Sequence, residues 1–230
     1  MKLRIAEIFH SIQGEGIWAG VPSTFVRVSG CNLRCVWCDT PYASWSPEGP
    51  TMSLDEIIEK VVAGNLDHVV LTGGEPMLFD PIEELASRLR KLGKVITIET
   101  AGTIYRDLDC DLMSISPKLA HSTPLGDEQW GRRHEELRIQ PEILKKLIAS
   151  YEYQLKFVVE AGDAIEVAEI ETLLETIGPI PPDRVLLMPE GRDQATLWRK
   201  AKLLIPVVSE RNWRLAPRLQ IDLFGDKRGT

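Results

Sequence analysis

Thr24-Phe25-Val26-Arg27-Val28-Ser29-Gly30-Cys31-Asn32-Leu33-Arg34-Cys35-Val36-Trp37-Cys38 passes from a short β-rich run, through a glycine, into three cysteines within eight residues. Thr24–Val28 reads as a strand because β-branched and aromatic side chains fill it. The cysteines that follow are spaced CxxxCxxC. Thiolates are soft ligands suited to iron–sulfur clusters and to zinc. Three of them in one loop can hold three corners of a cubane and leave the fourth iron open to another ligand. A structural zinc normally closes its shell with four ligands. The fourth would have to be distant Cys110 or one of His10, His68, His121 and His134, none at a usual zinc-finger spacing.

Outward from this loop, strand and helix patterns alternate. Asp67–Leu71 is an apolar run ending in Thr72-Gly73-Gly74-Glu75-Pro76. Ser53 and Glu56 predict a capping box for a helix running to about Val62. Asp80 is expected to cap the next helix, with Pro81 in its first position and Glu83 in its third. Lys94–Glu99, Asp111–Ile115, Tyr153–Val159 and Arg184–Met188 read as strands; Pro141–Ser150, Asp163–Thr176 and Asp193–Leu204 read as helices. This alternation predicts βαβ units and a mostly parallel sheet. Such sheets carry their sites at the C-terminal ends of the strands. The cysteines, Thr72–Pro76, Glu99-Thr100, Ser116-Pro117-Lys118 and Met188-Pro189-Glu190 all fall there, so one barrel mouth can collect them. The polar segment Leu119–Ile139, with Trp130, Arg132, Arg133 and His134, reads as a surface excursion, with a lid as the other reading.

Composition narrows the function. The chain has 230 residues, 43% hydrophobic, enough for one sizeable core. Its net charge of −7 gives no overall field for phosphate backbones, so nucleic acid is not an expected ligand. No stretch approaches the roughly 20 apolar residues of a membrane span. Met1 leads straight into the strand-like Leu3–Phe9 with no apolar leader, which predicts a cytoplasmic protein. Cys110 reads as a buried thiol, His10 as a structural histidine, and Met52, Met77 and Met113 as core or turn residues. Trp45, Trp198 and Trp213 carry no readable function.

CxxxCxxC together with Gly73-Gly74-Glu75-Pro76 resembles the radical S-adenosylmethionine superfamily. The resemblance implies a [4Fe–4S] cluster on Cys31, Cys35 and Cys38. The open iron would chelate the methionine end of S-adenosylmethionine, whose reductive cleavage gives a hydrogen-abstracting radical. It also implies an incomplete, TIM-like parallel α/β barrel of the radical SAM type, as a single domain over 1–230, with Trp37 near the adenine. Glu7-Ile8-Phe9-His10-Ser11-Ile12-Gln13-Gly14-Glu15-Gly16, then Gly20, Pro22, Phe25-Val26-Arg27, Gly30–Leu33, Trp37–Thr40 and Ser116-Pro117-Lys118, is similar to the 7-carboxy-7-deazaguanine synthase family. The match is dense in the first half and thin in the second.

That resemblance implies a carbon–nitrogen lyase. It would convert 6-carboxy-5,6,7,8-tetrahydropterin to 7-carboxy-7-deazaguanine with loss of ammonia, for deazapurines of the queuosine type. Ile12, Gln13, Gly14, Glu15, Arg27 and Thr72 would bind substrate and Thr40 a magnesium ion. Trp37, Gly74, Glu75, Ser116, Pro117, Lys118 and Met188-Pro189-Glu190-Gly191 would line S-adenosylmethionine. Physically, Gln13 and Glu15 suit the amide-like edge of a pterin, with Gly14 and Gly16 letting the loop lie close to a flat ring. Arg27 suits a carboxylate, and a hydroxyl oxygen suits Mg²⁺. The family further implies an electron donor such as flavodoxin or ferredoxin, and a homodimer. Many members carry a C-terminal histidine after a Gln-Thr pair. Here Gln220-Ile221-Asp222 stands in that place, so either Asp222 substitutes or the pocket closes differently, and Gly225–Thr230 either folds over the site or is disordered. The rival readings are a glycyl-radical-enzyme activase and a non-catalytic zinc or iron–sulfur module.

Overall fold

The computed structural model describes residues 1–160 and 162–230. Its strands are β1 (Lys2–Ile12), β2 (Pro22–Val28), β3 (Thr51–Ser53), β4 (His68–Gly73), β5 (Val95–Thr100), β6 (Leu112–Ile115), β7 (Tyr153–Val159), β8 (Val185–Pro189) and β9 (Arg214–Leu215). They form one sheet in the order β3-β1-β2-β4-β5-β6-β7-β8-β9. From β2 to β9 every neighbouring pair is parallel. The antiparallel edge was not expected: β1 pairs with β2 in the register Ile8↔Val26, and β3 pairs with the start of β1, Leu3↔Met52. The first and last strands do not pair with each other, so the barrel is incomplete, as the resemblance implied.

Alternation within the strands sorts side chains between two faces. Val26 and Val28, Val69 and Leu71, Ile96 and Ile98, Leu155 and Phe157, and Leu187 enter one continuous core. The helices α1 (Leu54–Ala63), α2 (Pro81–Lys91), α4 (Pro141–Ser150) and α5 (Ala164–Ile177) contribute Ile57, Ile82, Leu85, Leu89, Leu144, Leu147 and Ile170 to it. Each such fully buried aliphatic side chain contributes about 1.5–3 kcal/mol relative to exposure. The intervening residues Phe25 and Arg27, Val70 and Thr72, Glu99, Lys156 and Val158, and Met188 line a cavity on the opposite face.

The capping box of α1 forms as expected: the Ser53 hydroxyl accepts from Glu56 N at 3.2 Å, and Glu56 Oε2 accepts from Ser53 N at 2.7 Å. Asp80 does not cap α2. Its backbone is already helical, and its carboxylate pairs instead with Arg106. The helix opened by Asp193, α6 (Gln194–Arg211), runs past the expected end at Leu204. Pro206 removes one amide from it, but Leu204 and Val208 bury on either side of that break and hold both halves to the core.

Leu119–Ile139 lies largely at the surface, as expected, but is regular structure and not an irregular stretch. It contains a 3₁₀ turn at Ala120–Ser122 and α3 (Glu128–Arg138), capped by Asp127. The one buried residue of α3 is His134. A helix that buries an imidazole and no aliphatic stripe carries no apolar periodicity to read.

Candidate active site

The loop that carries the cysteines is fixed by backbone contact with the Gly73–Pro76 turn. Gly30 N donates to Ala43 O at 2.7 Å, Gly74 N to Val28 O at 3.1 Å, and Glu75 N to Gly30 O at 2.9 Å. A Cβ on Gly74 would collide with the carbonyls of Gly30 and Ala43. The glycine therefore serves the contact between two loops as well as the cavity it lines. Glu75 is wholly buried beneath that cavity: Oε1 accepts from Met77 N at 3.0 Å and Thr100 Oγ1 at 2.8 Å, and Oε2 from Ala101 N at 2.8 Å. Burial raises its pKa, while these donors lower it. Its carboxylate staples the turn to the end of β5.

The cavity measures about 230 Å³ and is lined by Cys31, Cys35 and Cys38 together. Cys31 Sγ accepts from Leu33 N at 3.3 Å, and Cys38 Sγ lies 3.1 Å from Ser44 Oγ. Burial pushes the Cys31 and Cys35 thiols up to about 12. A bound cluster reverses that balance, because its positive irons favour thiolate. Three soft donors converging on one cavity, with N–H and hydroxyl groups beside the sulfurs, fit a cubane with one open corner. The surrounding residues suit a charged, aromatic-bearing cofactor. Trp37 Nε1 is buried without a hydrogen-bond partner among the described residues, Lys118 Nζ lies 5.6 Å from the Trp37 ring centroid, and Lys118 Nζ donates to Ser116 Oγ at 2.7 Å. Thr40 precedes a 3₁₀ turn (Pro41–Ala43) without capping it by its side chain, and it lines the cavity.

α3 braces the loop from behind. His134 Nδ1 accepts from Arg34 N at 3.1 Å, and Ser122 O accepts from Val36 N at 2.9 Å. Burial depresses the His134 pKa to about 4, so the ring is neutral.

Across the cavity lies an ionic network centred on the buried Lys156 and Arg218. Lys156 Nζ donates to Glu15 Oε2 at 2.6 Å and to Glu99 Oε2 at 3.0 Å. Gln13 Nε2 donates to Glu99 Oε1 at 3.3 Å. Arg218 reaches Glu15 at 3.2 Å and Asp39 at 2.6 Å, and Gln220 Nε2 donates to Glu15 at 2.8 Å. Burial opposes the Glu15 charge, but Lys156 and Arg218 outweigh it and hold the carboxyl below its usual range. Burial likewise opposes the Lys156 charge, and Glu15 and Glu99 outweigh it, so the ammonium stays protonated. Gly14 and Gly16 do not merely clear space for a ring: side chains there would collide with Gln220 and Gln154.

Arg27 lines the cavity with only its Nε engaged, at 2.7 Å from Glu7. Its two terminal nitrogens have no hydrogen-bond partner among the described residues. Burial opposes its charge, and Tyr42 and Glu7 sustain it. Glu7 also accepts from Tyr42 Oη at 2.7 Å and from Arg228 Nε at 3.2 Å. Arg228 donates further to Ala6 O at 3.0 Å and to Glu48, and covers the Tyr42 ring at 3.9 Å. The tail thus folds over the site, and Thr230 joins the lining.

Of the expected site residues, Ile12, Gln13, Gly14, Glu15, Arg27, the three cysteines, Trp37, Thr40, Thr72, Gly74, Ser116, Lys118 and Met188 all line this cavity. Glu75, Pro117, Pro189, Glu190 and Gly191 do not: Glu190 pairs with Lys200 at 2.7 Å, and Gly191 O accepts from Arg218 at 2.6 Å. Asp222 is not the substitute at the site. It accepts from Trp198 Nε1 at 3.2 Å, and Gln220 is the residue that reaches the cavity. His10 bonds Thr24 Oγ1 at 3.0 Å, as a structural histidine does. Glu99, placed at the barrel mouth by its strand end, and Asp39, inside the matching Trp37–Thr40 stretch, were given no role, and Lys156 and Arg218 were missed. The available signal was a lysine on the cavity-facing phase of the otherwise apolar run Leu155–Val159.

Residues 25–118 match the Radical SAM superfamily. The whole chain is similar to 7-carboxy-7-deazaguanine synthase of Halobacterium salinarum, 47% identical over 99% of this chain and 93% of that protein. It is also similar to the synthases of Rhodopirellula baltica, at 44% over 100% and 89%, and Pyrobaculum aerophilum, at 34% over 99% and 97%. Among solved structures it resembles QueE from Escherichia coli, with a TM-score of 0.70, 25% identity and coverage of 94% and 93%. TYW1 shares the fold at a TM-score of 0.60, 13% identity and coverage of 83% and 72%.

Proposed function

This chain belongs to the 7-carboxy-7-deazaguanine synthase family of radical S-adenosylmethionine enzymes, and from that premise we propose how its own residues carry the reaction. The enzyme converts 6-carboxy-5,6,7,8-tetrahydropterin to 7-carboxy-7-deazaguanine with loss of ammonia, in queuosine-type deazapurine synthesis. The observation that carries the residue assignment is that the three thiols, Arg27, the Gln13–Glu15 loop, Thr72 and the Ser116–Lys118 turn open onto one cavity.

Cys31, Cys35 and Cys38 hold the [4Fe–4S] cluster. When bound, the cluster and S-adenosylmethionine supply the radical that abstracts hydrogen from the substrate. Trp37, Gly74, Ser116, Lys118 and Met188 flank the S-adenosylmethionine. Arg27, its Nε occupied by Glu7, presents its free terminal fork to the substrate carboxylate. Gln13, Glu15 and Thr72 meet the polar edge of the pterin, with Glu15 oriented by Lys156, Arg218 and Gln220. Thr40, whose hydroxyl is not spent on a cap, contributes an oxygen to Mg²⁺. With Cys35 and Lys156 buried and Cys31 and Arg27 only partly exposed, the site limits the access of bulk water to the reacting atoms.

The chain acts as one domain in the cytoplasm; no helix among the described residues is long and apolar enough to cross a membrane. A net charge of −7 supports a small-molecule substrate over nucleic acid. An acidic carrier such as flavodoxin or ferredoxin supplies the electron. Exposed Trp198, Leu203 and Ile205 of α6, with Leu223 and Phe224 of α7 (Leu219–Phe224), support a homodimer.

The test is an anaerobic assay of the iron–sulfide-reconstituted protein with dithionite, S-adenosylmethionine, Mg²⁺ and the pterin, read by mass spectrometry. Product formation by the wild type and none by Cys35→Ala supports the assignment. 5′-Deoxyadenosine without deazaguanine product would remove the substrate assignment, and neither product with a full cluster would remove both.

A further inference from the structure

Residues 101–106, which leave β5, hold both loops of the site. Ala101 N donates to Glu75 Oε2 at 2.8 Å. Gly102 N donates to the Thr100 hydroxyl at 3.0 Å, and that hydroxyl donates to Glu75 Oε1. At the far end, the Arg106 guanidinium donates to Met77 O and, at 3.0 Å, to Glu83, while Tyr151 Oη donates to Arg106 O at 2.8 Å. The Gly73–Pro76 turn and the 3₁₀ turn that follows it (Pro76–Leu78) are therefore clasped from both sides. The segment is not free to swing: Gly102 has a φ of +74°, and a Cβ there would collide with Leu144 and Ile115 of the core. Between these anchors Thr103, 5% exposed, turns to the cysteine loop. Its hydroxyl accepts from Asn32 Nδ2 at 3.0 Å and donates to Asn32 Oδ1 at 3.4 Å. Neither Asn32 nor Thr103 lines the cavity, so the pair acts on position.

Asn32 sits between a ligating cysteine and the amide that faces its sulfur, because Leu33 N donates to Cys31 Sγ at 3.3 Å. An N–H group on a cluster sulfur stabilises the reduced, more negative cluster and so raises its potential. Holding Asn32 in place holds that donor in place. The backbone bonds from Gly74 and Glu75 reach Val28 and Gly30, ahead of the first cysteine, and His134 and Ser122 hold the loop from its other side at Arg34 and Val36. The Asn32–Thr103 pair joins the stretch between these supports to the segment that clasps Glu75. We propose that Thr103 is a positioning residue for radical generation: through Asn32 it keeps Leu33 N on the Cys31 sulfur and sets the cysteine loop against the turn that receives the methionine end of S-adenosylmethionine. This rests on the reading that Cys31, Cys35 and Cys38 hold the cluster and that the Gly73–Pro76 turn lies at its open corner. A pair that served folding alone would leave the potential of the cluster untouched.

The experiment follows the electron paramagnetic resonance of the reconstituted, reduced cluster through a redox titration and through a titration with S-adenosylmethionine. It compares wild type, Thr103→Val, Thr103→Ser, Asn32→Ala and the Asn32→Ala/Thr103→Val double variant. Thr172→Val, which removes an exposed hydroxyl on α5, is the control. Asn32 is half-buried, so water takes up its amide when the partner is lost and the chain still folds. Thr103→Val is expected to move the potential to a more negative value and to weaken S-adenosylmethionine binding about tenfold, at wild-type iron content. Thr103→Ser and Thr172→Val keep the wild-type values. The double variant is no worse than Thr103→Val, because both changes remove one interaction. Unchanged potential and affinity in Thr103→Val would overturn the proposal. So would equal losses in Thr103→Ser, which would exonerate the hydroxyl, and so would additive losses in the double variant. Should Thr103→Val fail to hold iron, Asn32→Ala against wild type decides the same question from the other side of the pair. A wild-type cluster whose signal S-adenosylmethionine leaves unchanged would instead remove the cofactor reading, and the proposal with it.

Discussion

His134 Nδ1 accepts the backbone amide of Arg34 at 3.1 Å, a bond that spans one hundred residues to reach the middle of the cysteine loop. Its other nitrogen, Nε2, lies 2.9 Å from Ser122 Oγ, whose hydroxyl donates to Leu119 O at 2.6 Å. The hydroxyl proton being committed, Nε2 carries the ring proton and Nδ1 is left as the acceptor. His134→Leu strands the Arg34 amide in the interior, at a cost of about 1–3 kcal/mol. It also frees the segment between two ligands, so cluster loss in air is expected to quicken about tenfold, the scale of outer-shell effects at metal sites. His134→Asn, which keeps an acceptor near the Nδ1 position, should recover much of the iron retention. Iron and sulfide analysis with timed bleaching measures both; equal retention in His134→Leu and wild type would remove the brace.

The same ring makes stability depend on pH. Burial depresses His134 and His68 from 6.5 to about 4, and His68 is held neutral between Ser23 Oγ at 2.6 Å and Thr97 Oγ1 at 2.8 Å. The unfolded chain therefore binds more protons than the folded one between those values. The contribution is fully present above pH 6.5 and is lost as pH falls toward 4. Glu15, held low by Lys156 and Arg218, acts in the same sense but only below 4.5. Urea midpoints of the apoprotein should fall through the upper window first, and His68→Gln should lessen that slope. A flat profile from pH 6.5 to 4 would contradict the burial of both rings.

Lys156 is the hinge of the substrate side. Replacing it with Met leaves Glu15 and Glu99 facing one another without their shared cation. Breaking a buried pair from one side costs about 3–5 kcal/mol. Glu15 keeps Arg218 and Gln220, so the cavity persists, but its carboxylates reorient or take up protons. A rise in KM for the pterin of about tenfold is expected, corresponding to 1.4 kcal/mol. S-Adenosylmethionine affinity, set on the other wall, should change little. Isothermal titration of each ligand separates the two, and parallel losses would show a collapsed site instead.

Much of this was legible because its physics is local. CxxxCxxC, the Gly73–Pro76 turn, the strand alternation and the Ser53–Glu56 cap are all decided by residues within a few positions of one another. The misses depend on partners far along the chain. Asp80 has the residue type of a cap, yet Arg106, 26 residues away, takes its carboxylate. Asp222 stands where a histidine was expected, yet Trp198 takes it, while Gln220 turns inward to Glu15. α3 left no apolar stripe because its buried residue is His134. Gly14 and Gly16 announced a close approach, but not that Gln220 and Gln154 make it.

The tail gives the last test. Arg228 ties it to Glu7, Glu48, Ala6 O and the Tyr42 ring, and Thr230 reaches the cavity lining. Arg228 and Glu48 are half exposed, so their pair adds at most about 1 kcal/mol to global stability. Its effect is on position. In Arg228→Ala, amide hydrogen exchange over residues 225–230 should rise sharply while the urea midpoint barely moves. With the mouth less covered, more 5′-deoxyadenosine is expected per deazaguanine product, because the external reductant, with a solvent proton, can reach the site and divert turnover from the deazaguanine product. Glu7→Gln should be worse, since Glu7 fixes Arg27 as well as Arg228. Equal exchange in wild type and Arg228→Ala would mean the tail is held by something other than this arginine. Faster exchange with unchanged coupling would mean it covers the site without serving it.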